Sequence, residues 1–86
     1  MNITITINGL QLTLATDADY TYRSHINGMP CTEPDKWVSC NAVDSAENNY
    51  VCWYYNPDGL ELDAIDYYSP DDIVDDYGRI IYDRES

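Results

Sequence analysis

An 86-residue chain with sixteen carboxylates, four basic side chains and one histidine carries a formal net charge of −12. This length leaves room for one domain, residues 1–86, with a small core, while 44% apolar content, nine Tyr and two Trp exclude the composition of a disordered acidic tail. The scarcity of Lys and Arg argues against direct binding to a phosphate backbone, and the N-terminus never builds a continuous apolar run, so neither a leader nor a membrane span is expected and the expected location is the cytoplasm.

The N-terminus reads as a hairpin over residues 3–14. Ile3, Ile5 and Ile7 alternate with Thr, Asn8-Gly9 supplies the positive φ angles of a type I′ turn, and Leu10, Leu12 and Leu14 alternate in return. Ile7 should then face Leu10 and Ile5 should face Leu12, with all six apolar residues on the core face. Residues 16–36 read as a partly irregular connection, holding either a short helical turn capped by Thr16, Asp17 and Asp19 or an edge strand at Tyr20–Arg23, with Asn27-Gly28, Pro30 and Pro34 as turns.

The period-two pattern resumes in a meander over 36–65. Lys36–Val43 and Tyr50–Tyr55 are its first two strands, and Leu60-Glu61-Leu62-Asp63-Ala64 is the third, after a turn at Asn56-Pro57-Asp58-Gly59. A symmetric first loop would put Val38, Cys40, Ala42, Val51, Trp53 and Tyr55 on one face. Cys31, Cys40 and Cys52 match no metal-ligand spacing and read as free thiols, with a Cys40–Cys52 disulfide or a Cys-His nucleophile as the alternatives.

Ser69-Pro70-Asp71-Asp72 carries the signals of a helix start: a serine cap, proline at the first position and acids in the first turn. A short helix over 70–77, stopped by Gly78, is therefore expected, followed by a strand over 79–82. The fold class is α+β: a mostly antiparallel sheet with one C-terminal helix.

The acids are unevenly placed. Ten of them lie in residues 58–86 against Arg79 and Arg84, a net −8, while residues 1–57 carry six against Arg23 and Lys36, a net −4. A solvated face accounts for some, but an ordinary surface mixes both signs. A calcium loop is a weaker fit, because Asn56-Pro57-Asp58-Gly59 lacks acids at the required offsets, and no nucleophile, base and orienting group occur together as an enzyme would need. No cofactor or metal is expected.

The remaining reading is imitation of a nucleic acid. Duplex DNA carries a phosphate about every 1.7 Å along its axis. Same-face acids on a strand, such as Glu61 and Asp63, would sit about 6.7 Å apart, and helical pairs such as Asp71/Asp75 and Asp72/Asp76 about 5–6 Å apart. Tyr67, Tyr68, Tyr77 and Tyr82 could add contact area between them.

In its small size, acidity, unpaired cysteines and abundance of Tyr and Asp, the chain resembles the anti-CRISPR and anti-restriction DNA mimics of phages and mobile elements. The stretch from Asp63 to Val74, after a Trp/Tyr-rich hairpin, looks like segments common in small phage proteins. The resemblance covers roughly residues 36–78. It implies no catalysis and a bacterial host cytoplasm. The implied partner is the basic DNA-binding surface of a CRISPR effector or another host nucleic-acid-binding protein. Under this reading the chain is a stoichiometric inhibitor that blocks that surface with Asp58, Glu61, Asp63, Asp66, Asp71, Asp72, Asp75 and Asp76. The alternative is a structural or interaction domain, dimeric through its Trp/Tyr sheet face, whose charge serves solubility.

Overall fold

The computed structural model describes residues 3–85, which form nine strands and no α-helix. The strands are β1 (Thr4–Ile7), β2 (Leu10–Leu14), β3 (Asp19–Tyr20), β4 (His25–Ile26), β5 (Met29–Pro30), β6 (Trp37–Val43), β7 (Asn49–Tyr55), β8 (Asp72–Asp75) and β9 (Ile80–Asp83). One antiparallel sheet runs in the order β1-β2-β6-β7-β8-β9, and β3 pairs with β6 beside β2. It curls into a half-barrel. β4 and β5 make a separate small hairpin about Asn27-Gly28.

The first hairpin forms as its alternation dictates. Asn8 and Gly9 adopt φ of 51° and 82°, Ile7 pairs with Leu10 and Ile5 with Leu12. Ile5, Leu12 and Leu14 are buried, with Ile3, Ile7 and Leu10 packed around them.

The expected helix over 70–77 is absent, and the fold is β rather than α+β. Asp72–Asp75 is a strand, because Ile73 pairs with Cys52 on one side and with Tyr82 on the other and is fully buried. An eight-residue helix is marginal in water, Ile73 and Val74 are β-branched and favour the extended state, and strand pairing gives β7 a second neighbour. Pro70 is itself buried and ends the preceding loop.

Residues 60–64 are not the third strand of the meander either. β8 takes that place, and Leu62–Ala64 forms a single 3-10 turn. Segment 56–70 instead closes over the core face, with Tyr67 buried and Leu62 and Ile65 packed beside it. Tyr54 donates a hydrogen bond to the Tyr67 carbonyl (2.9 Å), and the Tyr67 hydroxyl donates to the carbonyl of Leu62.

The register of β6 with β7 also departs from the symmetric expectation. Val43 pairs with Asn49, so Cys40 stands opposite Cys52 and Val38 opposite Tyr54. A shift of one residue transfers every side chain of a strand to the other face. Tyr50, Cys52 and Tyr54 thus join Val38, Cys40 and Ala42 on the core face, while Val51, Trp53 and Tyr55 join Trp37 on the opposite one.

Asp44 sets this register. Its Oδ1 accepts from the amides of Ala46 and Asn48 (2.9 Å each), and its Oδ2 accepts from Asn48 Nδ2 (3.0 Å) and the Tyr50 hydroxyl (2.8 Å). Asp75 repeats the device between β8 and β9. Its Oδ1 accepts from the amides of Tyr77 and Arg79, and its Oδ2 from Arg79 Nε, each at 2.9 Å. Each loop turns on a left-handed residue three places after its aspartate, Glu47 at φ 64° and Gly78 at φ 82°. Gly78 is therefore a hairpin residue, not a helix stop.

Candidate functional site

The face opposite the core gathers three aromatic side chains, Trp37, Trp53 and Tyr55. Trp37 and Tyr55 are cross-strand partners with ring centroids 5.0 Å apart, and Trp53 meets Trp37 edge-on at 6.3 Å. Arg23 enters between the two indoles. Its backbone is tied to the Pro34 carbonyl (2.9 Å), and its guanidinium carbon lies 4.5 Å from the Trp37 ring centre and 4.6 Å from that of Trp53. A cation over an aromatic face gains from the ring quadrupole, more so when desolvated.

Asp72, paired with Trp53 across the β7–β8 ladder, completes the arrangement. Its Oδ2 is 2.7 Å from Arg23 Nη1, with the side chains only 9% and 5% exposed. Burial, the larger influence, pushes the Asp72 carboxyl above its ordinary value, against the pull of Arg23. This cluster fixes the irregular connection to the sheet.

Beside it a cleft of about 400 Å³ opens between the β4–β5 hairpin and the sheet. Ile26, Met29 and Pro30 form one wall, and Trp37 and Tyr55 another. Glu33, Asp71, Asp72, Asp83 and Glu85 supply the carboxylates. The Tyr55 hydroxyl donates to Glu33, and that bond, with burial and nearby acids, pushes the phenol up to about 12. Cys31 also faces this space, its sulfur accepting from Trp37 Nε1 at 3.2 Å.

The eight acids singled out by sequence separate into two groups. Asp72 is buried on Arg23, Asp71 pairs with Arg84 and accepts from the Tyr55 amide (2.7 Å), and Asp75 holds its hairpin and Arg79. All three serve the fold. The helical pairs Asp71/Asp75 and Asp72/Asp76 do not form, because an extended chain sets residues four apart about 13 Å from each other, not the roughly 5–6 Å of a helix.

Asp58, Glu61, Asp63, Asp66 and Asp76 are exposed. The first four ride on the segment that covers the core, not on a strand. That segment is organised by buried Asn56, whose Nδ2 donates to the Leu60 carbonyl (2.9 Å) and to the Tyr20 hydroxyl (2.8 Å), and whose Oδ1 accepts from the Leu60 amide (3.0 Å). Of the tyrosines, Tyr67 is core and Tyr82 packs against it, while Tyr68 and Tyr77 are 64% and 85% exposed.

Among the described residues no three His, Cys, Asp or Glu side chains are arranged to hold a metal ion, and no helix is long and apolar enough to cross a membrane. His25 Nδ1 lies 3.1 Å from Ser24 Oγ on the exposed small hairpin. Arg23 and the cleft escaped the sequence reading. Their only trace there is that Arg23 is the one Lys or Arg in residues 1–35, and placing it between two tryptophans requires the register.

No family model matches the chain, and neither a curated protein nor a solved structure matches it.

Proposed function

We propose that the chain is a non-enzymatic, stoichiometric inhibitor of the anti-CRISPR type, which docks on the basic DNA-binding surface of a host nucleic-acid-binding protein and keeps DNA off it. One observation carries this reading. Three of the four basic side chains, Arg23, Arg79 and Arg84, are held in ion pairs with Asp72, Asp75 and Asp71, whereas twelve of the sixteen acids are exposed. The acids that are not exposed, Asp44, Asp71, Asp72 and Asp75, organise loops or hold cations. What remains outside is almost entirely negative, and such a surface steers association with a positive one.

The imitation of phosphate is then a property of a surface, not of a helix. Asp58, Glu61, Asp63 and Asp66 offer charge along the covering segment, with Tyr68 among them. Size-exclusion chromatography with purified CRISPR effector complexes tests the reading. A complex should form that duplex DNA competes away, and it should dissociate above about 0.5 M salt, where the Debye length falls below about 5 Å. Simultaneous binding of DNA and the chain to every effector that retains it would overturn the blocking role.

A second reading is favoured by a separate feature. Val51, Val74 and Ile80 are neighbours across three strands on the face opposite the core, and all are only half-buried. If this row is a dimer interface, self-association should be insensitive to salt, which separates it from the first reading.

A further inference from the structure

We propose that the cleft between the β4–β5 hairpin and the sheet receives an arginine side chain from the partner's basic surface. This rests on the reading of the chain as an acidic docking protein and names the group it grips. The first ground is charge. Five carboxylates and no basic residue line the cleft; Asp71 and Asp72 already hold Arg84 and Arg23, and the exposed Glu33 and Glu85 keep the cleft acidic.

The second ground is shape and surface chemistry. Trp37 and Tyr55 give the cleft aromatic walls, Met29 and Pro30 an apolar one, and its volume of about 400 Å³ lies within the range of ligand pockets, about 300–1,000 Å³. A planar guanidinium stacks on such rings and forks onto carboxylates, whereas an ammonium is a compact, strongly hydrated point charge.

The third ground is internal precedent. The same sheet face already holds one guanidinium in this manner, Arg23 against Trp37 and Trp53 with Asp72 as counter-ion. Trp37 belongs to both places. An incoming arginine would meet Tyr55 and the Glu33 and Glu85 carboxylates at the mouth, with the apolar hairpin wall covering its methylene stem.

The test uses hexa-arginine and hexa-lysine peptides of equal charge, titrated calorimetrically into the full chain at about 0.15 M salt. Hexa-arginine should bind about tenfold more tightly, and it should slow alkylation of Cys31, the half-buried thiol of the cleft; Cys40 and Cys52 are buried. The double variant Glu33→Gln/Glu85→Gln should reduce hexa-arginine affinity by about tenfold and bring it near that of hexa-lysine. The equal-charge control Glu61→Gln/Asp63→Asn, on the segment covering the core, should leave the preference intact. All four positions are exposed, and unchanged near-ultraviolet circular dichroism will report that the variants fold.

Equal affinity for the two peptides, with Cys31 unprotected, overturns the cleft as an arginine site while leaving acidic docking standing. Arginine preference that survives in the Glu33/Glu85 variant overturns it as well, by moving the site elsewhere. Effector complexes that form normally with the Glu33/Glu85 variant would likewise separate failure of this site from failure of the inhibitor reading.

Discussion

The Asp72 carboxylate meets the Arg23 guanidinium at 2.7 Å, with both side chains more than nine-tenths buried and the cation held between Trp37 and Trp53. Removing one member of such a pair strands the other in a low-dielectric setting. Asp72→Ala should therefore cost about 3–5 kcal/mol, a large part of what a domain of this size has. Arg23→Lys should also destabilise, because an ammonium cannot stack between two rings. Urea unfolding at neutral pH measures both, and a cost for Asp72→Ala within that of an ordinary surface change would show that the pair is dispensable.

The acid response divides by sign. Hydrogen bonds from Asn48, its own loop amides and Tyr50 hold the Asp44 carboxyl below its ordinary value of 3.8, and the Arg79 amide and guanidinium do the same for Asp75. A depressed folded value gives stability that is present above the unfolded value and is lost as pH falls through the folded one. Asp72, raised by burial, acts in reverse: its contribution is full below the unfolded value and is lost as pH rises through the folded one. Asp44→Asn should thus lower the urea midpoint at pH 7, and the difference from the parent chain should shrink toward roughly pH 3. An equal deficit at both pH values would assign the effect to shape and not to charge.

The two five-residue hairpins offer a matched backbone experiment. Glu47 at φ 64° carries a side chain where Gly78 at φ 82° has none, and a Cβ at Gly78 would meet no atom within 4 Å. Gly78→Ala should cost about 1–2 kcal/mol from left-handed strain alone. Glu47→Gly should relieve similar strain, less the extra unfolded-chain entropy of glycine, for a gain of about 0.5 kcal/mol. Thermal melts of the two variants check the opposite signs.

These loops also mark where the sequence was legible. Asn8-Gly9 between alternating Ile and Leu left one register open, and the molecule adopts it. Strand β9, Ile80–Asp83, lies one residue from its expected place, and Asn27-Gly28 does turn a hairpin. At Ser69–Asp72 the capping pattern was local, whereas the deciding force was the place for Ile73 between Cys52 and Tyr82. Residues from distant parts of the chain had to be brought together before that place existed. Asp44 was equally hidden, since its choice of a five-residue loop depends on bonds to Asn48 and Tyr50, and that choice moved Trp53 to the face where Arg23 lies. The exposed acids Asp58 to Asp66 could be named from the sequence. Which acids hold the fold could not, because Asp71, Asp72 and Asp75 differ from their neighbours only by the cations opposite them.

The thiols follow from burial. Cys40 and Cys52 stand opposite each other on the core face and are free, as is the half-buried Cys31. Burial pushes the Cys52 thiol up to about 12 and raises that of Cys40, so neither supplies much thiolate at neutral pH. Titration of denatured, unreduced protein should find three free thiols, consistent with the three cysteines seen unpaired. In the native state Cys31 should be alkylated first and the other two only as the chain opens. A single free thiol after denaturation would instead reveal a Cys40–Cys52 bridge.

The division of the acids gives the sharpest contrast. Changing Asp58, Glu61 and Asp63 to their amides leaves no ion pair or loop bond unmade, since all three are exposed and lie on a segment held by Asn56 and Tyr67. Such surface changes stay within about 0.5 kcal/mol each, so the melting temperature should hold. If the chain docks as proposed, retention on an immobilised CRISPR effector should fall steeply, because charge complementarity governs encounter and holding at such a surface. The opposite set, Asp71, Asp72 and Asp75, removes the counter-ions of Arg84, Arg23 and Arg79 and should unfold the chain or lower its melting temperature sharply. Any loss of retention there reports stability, not contact. Both triple variants lose three charges, so net charge alone predicts equal retention for whatever fraction remains folded. If the folded fractions do bind alike, the acids of the covering segment are not the contact and the docking surface lies elsewhere on the chain.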